Sequence, residues 1–115
     1  MKRGDVFWAD LAPRSGSGQT GRRPVIVVFH DAFNQTPSWR SVIVVPLSAS
    51  KSQARRSPTT VPLPGGAGAL LEPSVAVCHQ VTTLDRAKLS QQIGTLPAES
   101  LRAVEEGLKA ALDLE

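Results

Sequence analysis

The sequence predicts an α+β fold: a small, mostly antiparallel β-sheet or partly open barrel, followed by one long C-terminal helix. Three observations carry this. Short apolar runs recur between clusters of Gly, Pro, Asn and Ser. β-Branched residues crowd two of those runs, Val25 to Val28 and Val42 to Val45. Only the last stretch has helical spacing, with Leu101, Val104, Leu108, Ala111 and Leu112 forming a stripe on one face. The 115 residues are expected to form a single domain, 1–115, and a 41% hydrophobic content suffices for one modest core.

The first strand is expected at Asp5–Leu11. Val6, Trp8 and Asp10 point one way and Asp5, Phe7, Ala9 and Leu11 the other, so both faces carry apolar groups. Pro13 ends it, and a glycine-rich loop with Gly16, Gly18 and Gly21 runs on to Arg22 and Arg23. Pro24 opens a second strand, Val25 to Phe29. Residues 30–40 read as loop, and Ser41–Leu47 as the third strand. A polar, basic loop from Ser48 to Ser57 leads to a short strand at 59–63 and a Pro-Gly turn at 64–68. Ser74–Thr82 reads as one strand by its alternation. Asp85 is placed to cap a short helical turn through Leu89, and Gln91–Thr95 is the last strand. The helix is expected from Pro97 to Leu112, with Glu99 and Lys109 at the ends its dipole favours.

Charge is unevenly placed. Residues 1–56 hold nine Lys/Arg against three Asp/Glu; residues 57–115 hold four against seven. The basic half suits a polyanion such as nucleic acid. One cysteine, Cys78, rules out an internal disulfide and reads as a small buried residue. Two histidines and one cysteine do not make a four-ligand His/Cys metal site, and no acidic cluster marks a magnesium site. The opening MKRGDVFW lacks the apolar run of a signal peptide, and no stretch is long and apolar enough to span a bilayer. A soluble, cytoplasmic protein is expected.

The glycine-rich loop precedes a strand and lacks the Walker spacing, which argues against a nucleotide cradle. It reads either as a surface hairpin or as a phosphate-binding arm, with the Arg22 and Arg23 guanidinium forks at its hinge. Arg23, at the loop-to-strand boundary, is the better fixed of the two. Ser48, at the exit of a buried strand, is either a turn serine or a hydroxyl aimed at a phosphate. His79 is a possible proton carrier or a satisfied, partly buried side chain. Phe7, Trp8 and Trp39 are the stacking candidates; Phe7 and Trp8 belong to a strand and read as core, and Trp39 lies in a loop beside Arg40. These residues suggest a nucleic-acid surface and do not separate RNA from DNA, or binding from cleavage.

Six segments in order resemble the MazF/PemK family of toxin endoribonucleases across nearly the whole chain. They are Arg3 to Leu11; Gly16-Ser17-Gly18-Gln19 with Arg23-Pro24-Val25; Asp31-Ala32-Phe33-Asn34; Val44-Val45-Pro46-Leu47-Ser48; Ser74 to Gln80; and Ile93-Gly94-Thr95-Leu96. The resemblance implies a small SH3-like barrel, a homodimer, and cleavage of single-stranded RNA (mRNA above all) without metal or cofactor. The reaction so implied is a 2′-hydroxyl attack leaving a 2′,3′-cyclic phosphate and a 5′-hydroxyl. It implies Arg23 and Ser48 as catalytic residues, and Ser17, Gln19, Arg22, Lys51, His79 and Gln80 as RNA contacts. It also implies a cognate antitoxin partner, with which such toxins bind DNA. Two departures stand out: Gly18 occupies a position where the family often has Glu, and His79-Gln80-Val81-Thr82-Thr83 stands where it has Glu-Gln-Ile-Arg-Thr. The alternative is a non-catalytic nucleic-acid-binding module, or a topoisomerase-poisoning toxin, on the same barrel.

Overall fold

The computed structural model describes residues 1–11, 21–49, 55 and 57–115. Its strands are β1 (Asp5–Leu11), β2 (Gly21–Val27), β3 (Ser41–Ser48), β4 (Thr60–Leu63), β5 (Ser74–Val77), β6 (Thr82–Asp85) and β7 (Leu89–Thr95). Two α-helices accompany them among the described residues, the single turn α1 (Asp31–Asn34) and the long α2 (Ala98–Leu112). All strand pairs are antiparallel, in the order β4-β5-β3-β2-β1-β7, and β6 also pairs with β3.

The valine runs are central strands buried on both faces. Side chains alternate across a strand, so one run feeds two cores. Val6, Ile26, Val45 and Leu47 lie in one cluster with Val61, Leu63, Leu96 and Val104. Ala9, Leu11, Val25, Val27, Val42 and Val44 form the other, with Phe7, Phe29, Leu84 and Leu89 against them. The expectation that β1 is apolar on both faces holds, for Val6 serves the first cluster and Ala9 and Leu11 the second.

β3 divides its outer edge between two partners. Its C-terminal end pairs with β5 (Leu47 opposite Ala76, Ser48 opposite Val75), and its N-terminal half with β6 (Val44 opposite Thr82, Ser41 opposite Asp85). Leu47 to Val44 is a shorter path than Ala76 to Thr82, so the surplus residues loop out as a 3-10 turn, Cys78–Gln80. The single strand expected over Ser74–Thr82 is therefore two strands with that turn between them. The ends of the sheet approach each other at Gly94 of β7: a Cβ there would sit 2.4 Å from the Gly68 carbonyl oxygen, in the turn after β4.

Other boundaries shift modestly. β2 begins at Gly21 rather than Val25, because Arg22 and Arg23 pair in register with Asp10 and Ala9. Within the stretch read as loop, α1 is capped by His30, whose Nδ1 accepts from the Ala32 amide at 3.0 Å. Buried Asn34 donates to the Phe29 carbonyl at 2.8 Å and to Asp31 Oδ1 at 3.0 Å. The Asn34 side chain and the Arg3 amide hold the Asp31 carboxyl below its ordinary value. Asp85 caps the turn Arg86–Lys88 as expected, accepting from the Ala87 amide. Helix α2 buries Val104 and Gly107; Leu112, expected in the stripe, is exposed. The opening Arg-Gly-Asp anchors the termini of the fold. Gly4 takes φ +97° and donates to the Val27 carbonyl at 2.7 Å, buried Asp5 accepts from Thr95 Oγ1 at 2.8 Å, and Arg3 pairs with Glu105 of α2.

Candidate functional site

β2 carries two candidate site residues, Arg22 and Arg23, and its anchor in one strand. Val25, Ile26 and Val27 are fully buried and hold it between β1 and β3. Toward Gly21 the same strand leaves the core, and Arg22 and Arg23 are exposed. Ser48 lies at the end of β3 beyond the pairing with β2, buried and opposite Val75 of β5. These ends meet at a cleft with room for about 530 Å³. Arg22, Arg23, Pro24, Leu47, Ser48 and Ala49 line one part of it, Trp8 of β1 and Gln91, Gln92 and Ile93 of β7 another, and Leu70, Leu71, Glu72 and Ser74 the rim before β5.

Two arginines against one glutamate give the cleft a positive balance among the described residues. Arg22 lies over Trp8, its guanidinium carbon 4.5 Å from the ring centroid, a cation–π distance. Among the described residues neither Arg22 nor Arg23 forms an ion pair, so the forks are open to an anion. A guanidinium keeps its charge across the working pH range, and a hydroxyl beside it can donate to or accept from a phosphate oxygen. The described residues hold no group of three His, Cys, Asp or Glu side chains fit to bind a metal.

Sequence reasoning paired Arg23 with Ser48, and both line this cleft with Arg22. Ser17, Gln19 and Lys51 lie outside the described residues. His79 and Gln80 do not line the cleft. They sit in the turn after β5, at the opposite end of that strand from Ser74, where a 2.8 Å hydrogen bond joins His79 Nδ1 to Thr59 Oγ1. Trp39 also lies elsewhere, its ring 4.6 Å from that of Phe33 in a cluster with Phe29. Trp8, named as a stacking candidate but read as core, lines the cleft, and Glu72, Gln91 and Gln92 were missed as lining residues. Trp8 read as core because its strand is apolar on both faces. The other three carry no local signal, since only the folding of β7 and the rim onto β1 and β3 brings them here.

Chains with this fold and arrangement are known. A family model described as PemK-like, MazF-like toxin of type II toxin-antitoxin system matches residues 2–112. Endoribonuclease EndoA of Bacillus subtilis is 33% identical over 114 residues, covering 99% of this chain and 96% of that one. Endoribonuclease MazF6 of Mycobacterium tuberculosis is 32% identical over 114 residues, with 99% and 98% covered. A crystal structure of MazE-MazF from Deinococcus radiodurans superposes with a TM-score of 0.74 at 26% identity, covering 100% of this chain and 97% of that one. The chain belongs to the PemK/MazF-like toxin family of type II toxin-antitoxin systems.

Proposed function

We propose that this toxin is an endoribonuclease that cuts single-stranded RNA, mRNA above all, at the Arg23–Ser48 cleft, with Arg23 and Ser48 as its catalytic residues. The observation that carries the reading is the convergence, from separate strands, of a charged fork and a buried strand-end hydroxyl in one positively balanced cleft. The endoribonuclease relatives, matched over nearly their whole length, support it.

The ribose 2′-oxygen attacks the adjacent phosphorus, the bond to the departing 5′-oxygen breaks, that oxygen takes up a proton from solvent water, and a 2′,3′-cyclic phosphate and a 5′-hydroxyl result. Negative charge grows on the non-bridging oxygens as the phosphorus becomes five-coordinate. Arg23 stabilises that charge with paired donors that need no reorganisation during the reaction. Ser48 fixes the phosphate by a hydrogen bond from a rigid strand end. Glu72, the one carboxylate lining the cleft among the described residues, accepts the 2′-hydroxyl proton. No step calls on a metal.

The antitoxin-bound structure of the Deinococcus relative supports a cognate antitoxin as partner, and family likeness supports a homodimer that acts in the cytoplasm. No helix among the described residues is long and apolar enough to cross a membrane. The deciding experiment incubates the purified protein with a long unstructured RNA in EDTA and maps both product ends. Discrete cuts with cyclic-phosphate and 5′-hydroxyl ends are expected, and they vanish when the ribose at the cut carries a 2′-deoxy substitution. Equal cutting of the deoxy-substituted RNA overturns the mechanism, and intact RNA overturns the cleavage reading.

A further inference from the structure

The two neighbouring arginines of the cleft are held differently. Cross-strand register places Arg22 opposite Asp10 and Arg23 opposite Ala9, on opposite faces of β2. Arg22 does not pair with Asp10. Its guanidinium lies instead over the Trp8 ring, at 4.5 Å. Trp8 is half-buried in β1, with Pro24 opposite it in register, so the ring is a fixed base for a flat cation. Arg22 itself is exposed and lines the cleft. The guanidinium is thus seated over the indole, and the residue stays accessible from the cleft. A planar, delocalised cation held in this way suits an unpaired nucleobase, which stacks on aromatic rings and on guanidinium planes alike. A phosphate, in contrast, seeks the edge of the fork.

We propose that Arg22, stacked on Trp8, is a platform for a nucleobase flanking the scissile phosphate, while its neighbour Arg23 serves the phosphate itself. The proposal rests on the RNA-cleavage reading above. Arg22 and Arg23 line one cleft, so a base on Arg22 belongs to a nucleotide near the cut. On the same cleft Gln91 brings an amide and Gln92 an amide oxygen able to bond a base edge, the Gln92 Nε2 already donating to the Gly94 carbonyl at 3.2 Å. Stacking accepts any base, so the platform contributes affinity and register, leaving sequence choice to groups such as these.

Arg22→Lys tests it, because lysine keeps the charge and loses the plane. The substrate is a short RNA spanning a mapped cut, intact or abasic at one position at a time. Arg22→Lys is expected to lower kcat/KM about tenfold, mostly through KM, and as much as Arg22→Ala does. The deficit should vanish on RNA abasic at one flanking position. Wild-type cutting by Arg22→Lys, or an equal deficit on every abasic RNA, overturns the platform.

A second measurement does not depend on cleavage. In a Trp39→Phe background Trp8 is the only tryptophan. Its fluorescence is followed while a mixed-sequence 2′-deoxy oligonucleotide of about twelve nucleotides is added. A change in Trp8 emission, with several-fold weaker binding in Arg22→Lys, supports the platform even if no RNA is cut, in which case only the cleavage reading falls. Equal binding and equal emission change in both proteins overturns the platform even if RNA is cut.

Discussion

The Arg23–Ser48 cleft and the corner where α2 rests on β4 use side chains in opposite ways. In the cleft the backbone is secured by residues other than those proposed to act: Val25 to Val27 fix β2, and Arg22 and Arg23 stand exposed at its end. In the corner the named residues are themselves the packing. Gly107 of α2 lies against Cys78 and Val61, and a Cβ on it would come within 2.7 Å of Cys78 Sγ and of Val61 Cγ2. Cys78 is fully buried there, and its amide donates to the Thr59 carbonyl at 2.9 Å. The contrast separates chemistry from stability: substitutions in the cleft should cost activity and leave the fold, and those in the corner should do the reverse.

Arg23→Ala is the largest expected effect. Losing a preorganised charged donor should lower cleavage about 10²–10³-fold, with an unchanged thermal midpoint; a large midpoint shift would move Arg23 to the structural side of the contrast. Ser48→Ala should lower cleavage about tenfold, the worth of one hydrogen bond to a charged group. Gly107→Ala should cost about 1–3 kcal/mol in denaturant titration through overpacking, partly offset by about 1 kcal/mol of helix propensity, with activity per folded molecule unaffected.

The pH dependence sharpens the contrast. Glu72→Gln should lower turnover, whereas His79→Ala, outside the cleft, should leave turnover unchanged across pH. A changed profile in His79→Ala would bring the corner into the chemistry. The smallest effect belongs to Cys78, whose thiol burial pushes up to about 11 from an ordinary 9.0. The folded chain therefore keeps this proton at a pH where the unfolded chain has released it. That contribution is complete below pH 9 and is lost as pH rises from about 9 to about 11. Alkaline denaturation should show a steeper loss of stability across this window than Cys78→Ala does.

Much of the fold was legible from local pattern. The bounds of β1 follow from its apolar residues and Pro13, and α2 follows from its stripe, with Pro97 at its N-cap. The Arg23–Ser48 pairing was legible only through family likeness, since a lone arginine and a lone strand-end serine have ordinary uses. β2 was read as starting after Pro24 because that proline fixes the backbone and removes a ladder donor. Pairing of Arg22 and Arg23 with Asp10 and Ala9 carries the strand back to Gly21.

The sequence by itself determined β1, the valine-rich centres of β2 and β3, short strands near 59–63 and 91–95, the long helix, and that an arginine pair after a glycine-rich loop precedes a buried strand. These are nearest-neighbour properties, set by side-chain alternation, β-branching and the backbone limits of Gly and Pro. Tertiary structure alone decided that Ser74–Thr82 breaks at Cys78, because β3 shares one edge between β5 and β6 and the longer path must fold out. It also decided that Trp8 supports Arg22 and that Glu72 shares a cleft with Arg23 and Ser48. Such contacts depend on the register between strands distant along the chain, and register is set by the packing of both cores together.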